Sequence, residues 1–247
     1  MMLAPRERVR LILAASDAYD PDLLVTAGYA VHSRKHLHRL AQEIEQEPRG
    51  GTIITEVHHD GQTPRNPGHS HAMWAIDGDG ELHRFGRQTF GSSREVRHHG
   101  GKALARFRAR LADRTIEVGE HAVFALICGE INIVHGRNSA AFVNMDAEDA
   151  ILTADIVINP THDRMSNAGT LQAKRRLLSQ AKPDGTPRAY ISCSNWEACG
   201  LNGRVQYPSP TLHTVYVAGL PLPYEEFADG AFGFVYRRWR LPLGPSS

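Results

Sequence analysis

The 247-residue chain is 41% hydrophobic, which is enough for a sizeable core and excludes wholesale disorder. Its 28 Lys and Arg against 27 Asp and Glu leave a net charge of +1, so no basic excess points to nucleic acid. Three cysteines, an odd and sparse count, argue against a disulfide framework, and no apolar run approaches the ~18 residues of a membrane span. The N-terminal apolar run is too short for a signal peptide, so a soluble, cytoplasmic protein is expected, with no nucleic-acid or membrane partner.

In chain order, Val9–Ala15 (VRLILAA) reads as an apolar first strand and Asp22–Thr26 (DLLVT) as a second, ending at Ala27-Gly28. From Ser33 the period changes: Leu37, Leu40, Ala41 and Ile44 fall at helical spacing, with Ser33 as a cap and Pro48 to Gly51 as the stop. Thr52–Val57 is a third strand with Glu56 near its end, followed by the loop HHDGQTPRNPG. His71–Asp77 and Glu81–Phe85 flank Gly78-Asp79-Gly80 and predict a hairpin. Arg87–Gly101 is polar and irregular, and Lys102–Leu111 spaces Leu104, Phe107 and Leu111 as a short helix.

Ala122–Asn132 (AVFALICGEIN) is a buried strand that stops on Cys128, with Gly129 and Glu130 next. A helical stretch then leads into the strand Asp155–Asn159, and Arg164–Gln180 is a further helix. Ala189–Ser192, Thr214–Ala218 and Phe232–Trp239 read as later strands. The pattern is one α/β domain over residues 1–241, its helices covering a mostly buried pair of sheets, with a frayed Pro/Gly/Ser-rich tail over residues 242–247.

Cys128 has two readings. A cysteine at the mouth of a buried strand, before a glycine that permits a tight turn, can present its sulfur to a cleft. Most free cysteines are instead buried small hydrophobes, as Cys193 is expected to be on its strand. The 14 histidines cluster at His58-His59-Asp60, His69-Ser70-His71 and His98-His99. His69 and His71 share one strand face and, with His58 or Asp60, form a zinc-type ligand set; ordinary loop hydrogen bonds are the competing reading. No HExxH and no CxxC pair strengthens the metal reading, and the basic runs RFRARLADR and GRNSAAF read as solvated surface.

The order of these elements resembles the carbon–nitrogen hydrolase (nitrilase/amidase) superfamily. LLVTAG is similar to the family's strand ending in Pro-Glu, and HLHRLAQEIEQEPRGGTIITEV to its helix and following strand. HSHAMWAIDGDGELHRFGRQTF resembles its YNSA…dG…YRK hairpin, AVFALICGE its nucleophile segment, and ADIVINPTHD, LQAKRRLLSQ and AYISCSN its later segments. The resemblance implies a four-layer αββα sandwich, a homodimer or higher homo-oligomer formed through helical faces, no cofactor, and a small amide, nitrile or carbamoyl compound as substrate.

It also implies a site of cysteine, glutamate and lysine. A thiol of pKa ~8.5 needs a base or cation to become a thiolate; a carboxylate can take its proton and return it to the leaving amine; a cation and backbone N–H groups stabilise the oxyanion. Cys128 falls on the nucleophile and Glu130 on the acid that follows it. The glutamate is expected near Gly28, where VTAGY has no acid, and the lysine aligns with Arg87, which can hold an oxyanion but cannot shuttle a proton. Glu56, on a strand adjoining the Gly28 strand, and Lys102 are the candidates to complete the set. Their competing readings are a solvated strand-end acid and an exposed lysine at a helix start. Glu130, His71 (at the Asn of YNSA) and Asn159 are expected to line the substrate site. A binding protein on the same fold without the chemistry, and a zinc hydrolase using His58, His69 and His71, are the alternative functions.

Overall fold

The computed structural model describes residues 4–59, 71–98, 100–137, 139–161, 168–194, 213–229 and 234–243. Helix α1 (Pro5–Tyr19) leads to β1 (Leu23–Val25), β2 (Val31–Ser33) and α2 (Arg34–Gln46). Strand β3 (Thr52–His59) and the hairpin of β4 (Ala72–Ile76) and β5 (Leu82–Arg87) follow. Then come α3 (Ser93–His98), α4 (Gly100–Arg108), β6 (Thr115–Val118) and β7 (His121–Ala125). A 3-10 turn over Cys128–Ile133 leads to a small hairpin, β8 (Val134–His135) and β9 (Ala141–Phe142). The chain continues through α5 (Met145–Thr153), β10 (Ile156–Thr161), α6 (Ala168–Leu178) and β11 (Ala189–Ser194). It closes with β12 (His213–Val217), β13 (Leu220–Pro221), β14 (Glu225–Asp229) and β15 (Phe234–Arg238).

Two mixed sheets stack face to face. The first runs β1-β3-β4-β5, with β2 also on β3; the second runs β13-β12-β11-β10-β7-β6. Period-two alternation sorts the side chains: Ile54, Met73, Ala75 and Phe85 meet Val123, Ala125, Ile158 and Ile191 between the sheets. Ile53, Val57 and Ile76 turn outward and pack under α1 and α2, through Val9, Ile12, Leu37 and Leu40. Phe124, Val157 and Tyr190 turn the other way and are covered by α4, α5 and α6 through Phe107, Ile151 and Leu178. The architecture is therefore the expected αββα sandwich. Strand β10 lies at the centre of the second sheet between parallel partners and is buried along all six residues, as covering on both faces requires.

Val9–Ala15 is not a strand. It lies within α1, whose buried residues Val9, Ile12, Ala15 and Ser16 follow a helical period and pack on α2. Pro5 opens the helix, where its missing N–H costs nothing, and Glu7 caps the Ala4 N–H at 2.8 Å. The polar stretch read as irregular contains α3, and β6 and β14 were not foreseen. Four strands of two or three residues, β2, β8, β9 and β13, likewise have no counterpart among the expected ones; the other helices and strands stand within a few residues of their expected places. No described helix is long and apolar enough to cross a membrane.

Candidate active site

Strand β7 delivers Cys128 to the end of the second sheet, and the backbone there is bent into a conformation that a cysteine rarely adopts. Cys128 has φ +46°, in the left-handed region, at a cost of about 1–3 kcal/mol. Its surroundings hold it there. Leu126 N–H donates to the Ile158 carbonyl at 2.9 Å, and Asn159 Nδ2 donates to the carbonyls of Leu126 (2.9 Å) and Cys128 (3.1 Å). Gly129 follows because nothing larger fits: a Cβ there would lie 1.9 Å from the Gly91 carbonyl oxygen. Asn132 Nδ2 donates to the Gly129 carbonyl at 2.8 Å, and Lys174 Nζ donates to Asn132 Oδ1 at 2.8 Å. The Cys128 side chain keeps partial exposure, unlike Cys193, whose thiol is pushed up to about 12 by burial.

Glu130 is fully buried, and its carboxylate oxygens are occupied by protein donors. Oε1 accepts from Thr89 N–H (2.6 Å), Thr89 Oγ1 (2.8 Å) and Arg114 Nη2 (2.8 Å); Oε2 accepts from Arg114 Nη1 (2.6 Å) and Ile127 N–H (2.9 Å). A carboxylate so saturated has no place for a ligand, which corrects its expected substrate-binding role: Glu130 braces the turn after Cys128. Its partner Arg114 belongs to the run read as solvated surface, yet it is fully buried. The guanidinium lies 4.3 Å from the Phe107 ring centroid and donates to the carbonyls of Ala125 (3.2 Å) and Arg87 (2.7 Å), so one cation joins both sheets to the turn. No spacing signal ties residue 114 to residue 130. The only sequence cue was the acid after the cysteine, which needs a partner if buried.

Glu56 faces the space between the sheets from β3, in step with Ile54. The parallel pairing Leu24↔Ile53 and Val25↔Ile54 brings the Thr26–Gly28 main chain alongside it, so the carboxyl comes from the strand next to the position without an acid. It is fully buried, which overturns the solvated strand-end reading. Burial raises its pKa to about 8, with Glu130 adding to the rise; His71 and the Tyr29 N–H, which donates to it, oppose it. Tyr29 is itself left-handed, at φ +59°.

His71 enters β4 beside this carboxyl. Its Nδ1 lies 3.0 Å from the His58 carbonyl and its Nε2 3.0 Å from the Tyr29 hydroxyl. Of the zinc set, His69 and Asp60 lie outside the described residues, and His71 meets a backbone carbonyl and a phenol. Among the described residues a compact three-ligand group occurs only at the hairpin, with Asp77, Glu81 and His83, where Asp77 already accepts the turn's own N–H groups.

Two further expectations are corrected. Asn159 is fully buried, with its amide on the Leu126 and Cys128 carbonyls and its Oδ1 accepting from the Tyr190 hydroxyl at 3.0 Å; its polar atoms are taken up holding the Cys128 turn rather than free for substrate. Lys102 is exposed on α4, whose buried side carries Ala103 and Phe107, so it takes the surface reading. Arg87 ends β5 after a bulge at Gly86, is half-buried, and is tied by its carbonyl to Arg114. Arg87 ends β5, His71 precedes β4 and Cys128 follows β7, while Glu56 lies within β3; the Arg114–Glu130 pair ties the Arg87 carbonyl to the Cys128 turn, and the Gln88 N–H meets the His71 carbonyl at 3.4 Å. Lys174, only 5% exposed, was missed because its run, LQAKRRLLSQ, mixes buried and solvated cations.

No protein-family model and no curated protein matches the chain. Solved structures do. A cysteine-to-alanine variant of a nitrilase-superfamily amidase from Nesterenkonia AN1 aligns over 90% of this chain and 80% of its own, at 14% identity and TM-score 0.57. A glutamate-to-glutamine variant of the Nesterenkonia sp. AN1 amidase, carrying the acetamide moiety of fluoroacetamide on its active-site cysteine, aligns over 89% and 80%, at 15% identity and TM-score 0.55. A CN-hydrolase superfamily protein from Xanthomonas campestris, with an arsenic adduct in its active site, aligns over 88% and 79%, at 13% identity and TM-score 0.51.

Proposed function

On the premise that the chain has the carbon–nitrogen hydrolase fold, we propose that it hydrolyses a non-peptide C–N bond of a small amide, nitrile or carbamoyl compound through a covalent cysteine intermediate. The observation that carries this reading is Cys128, partly exposed and left-handed just past a buried strand, on a turn whose brace, Glu130, is near enough to the buried Glu56 carboxyl to act on its charge. Strained, braced nucleophile turns of this kind are how strand ends present a reactive atom to a cleft.

For an amide, Glu56 takes the Cys128 thiol proton as the sulfur attacks the carbonyl carbon. The oxyanion of the tetrahedral intermediate is stabilised by the Arg87 guanidinium and by backbone N–H groups of the turn after Cys128. Glu56 returns the proton to the nitrogen as the C–N bond breaks, leaving a thioester and a free amine. Water, deprotonated by Glu56, then splits the thioester to give the carboxylic acid and restore the thiol. A nitrile passes through a thioimidate instead.

Arginine at the place where the family resemblance puts lysine favours a second reading, a binding protein that has lost the chemistry. Turnover of a panel of short amides, nitriles and carbamoyl compounds by the wild type and Cys128→Ala separates the two. The proposal expects hydrolysis that disappears in the variant; full activity in Cys128→Ala would reject it, and no turnover with an unreactive Cys128 would favour the binding protein.

A further inference from the structure

Tyr29 touches two titratable groups at once. Its backbone N–H donates to the Glu56 carboxylate, and its hydroxyl lies 3.0 Å from His71 Nε2. His71 Nδ1 faces the His58 carbonyl at 3.0 Å, so that nitrogen carries a hydrogen in either charge state. The neutral ring therefore accepts the Tyr29 O–H at Nε2, and the protonated ring donates to the phenol oxygen. The left-handed backbone of Tyr29 is what lets one residue reach both groups, and Arg8 Nη1 clamps its carbonyl at 2.7 Å.

We infer that His71 and Tyr29 form a positioning pair for Glu56, the charge state of the imidazole deciding whether the buried carboxyl stands ready as base or as acid. The inference rests on Glu56 being the general base of the proposed reaction. When the imidazole is protonated, its charge favours the carboxylate, and Tyr29 secures both partners. When it is neutral, the carboxyl keeps its proton, because burial penalises the anion. Carboxyl and imidazole then titrate as a pair.

Further charged and titratable groups surround the pair. Glu130 repels the Glu56 anion, while the Arg114 guanidinium sits on Glu130 itself. Arg87 stands opposite Ala72, next to His71. The His71 ring stacks on His58 with centroids 5.4 Å apart, His58 meets His32 at 6.1 Å, and His32 meets His36 at 5.9 Å. Burial, His32, Lys35, Arg8 and Arg6 all hold the outermost ring, His36, toward its neutral form.

Infrared difference spectra of the full-length protein, with Glu56→Gln identifying the Glu56 carboxylic-acid band, report this carboxyl without turnover. The band is expected to titrate roughly 1 unit higher in His71→Gln than in the wild type, and higher in Tyr29→Phe as well. The acid limb of kcat/KM should move with it, while an effect that is only structural would lower kcat at every pH and leave the limb in place. An unmoved band in both variants, each with wild-type thermal unfolding, would overturn the inference. If Cys128→Ala proves fully active, the hydrolase reading falls and the infrared titration alone judges the pair.

Discussion

The Arg114–Glu130 pair is the residue whose loss should be felt most. Both groups are fully buried, and removing either leaves the other charge without its partner. Arg114→Met and Glu130→Leu should each lower unfolding stability by roughly 3–5 kcal/mol, with the double variant losing less than the sum; additive losses in urea unfolding would contradict the pairing. The two described thiols should also differ. Cys193, with its pKa raised to about 12 by burial and its thiol donating to the Val25 carbonyl at 3.4 Å, should resist iodoacetamide while Cys128 reacts. At this scale the sequence singles out Cys128, because apolar periodicity marks where a strand stops, but the burial of Glu56 was not legible, since an acid near a strand's end equally suits solvent. Arg114 stayed hidden, since a run of arginines looks solvated until a fold places one of them opposite a buried acid.

At the scale of elements, the turn after β7 is the device that shapes the site. Its tightness depends on Gly129 lying against Gly91. Gly129→Ala should therefore destabilise the protein by roughly 1–3 kcal/mol and slow Cys128 alkylation, because the β-carbon must push two backbones apart. Unchanged alkylation would mean that the turn does not set the thiol's reactivity. Most elements were readable because each carries one clear period, as Leu37, Leu40, Ala41 and Ile44 do for α2. α1 was misread because the window VRLILAA, apolar apart from Arg10, is too short to show a helical period. Only the wider set, from Pro5 to Ser16, shows the helical repeat that buries Val9, Ile12 and Ala15. β14 was missed for the opposite reason: the residues Glu225–Phe227 are exposed and, among the described residues, the strand pairs only with β15, so no buried face wrote an alternation into it.

For the whole molecule, the buried Glu56 links stability to pH. Its folded pKa, raised to about 8 from 4.5, means that the folded protein holds a proton which the unfolded chain releases. The contribution of this group is fully present below about pH 4.5, declines as pH rises, and is lost by about pH 8. Glu56→Gln, which mimics the neutral acid, should be inactive yet more stable than the wild type by roughly 3 kcal/mol at pH 7. The gain should vanish near pH 4; an equal gain at pH 4 and pH 7 would contradict a protonated buried carboxyl. The sandwich itself was legible in the order of elements. The site's completeness was not, because Glu56 and the Thr26–Gly28 segment become neighbours only through the parallel pairing of β1 and β3.

The proposed reaction stands on Cys128 as a nucleophile activated by Glu56. Intact-mass and peptide mapping after brief exposure to a short α-haloamide at pH 8 tests it most directly. The account predicts one adduct, on the Cys128 peptide, absent in Cys128→Ala and formed at least ~10-fold more slowly in Glu56→Gln, the lower end of what a positioned base contributes being about a hundredfold. Adducts spread evenly over Cys128, Cys193 and Cys199, or a Cys128 rate untouched by Glu56→Gln, would contradict it.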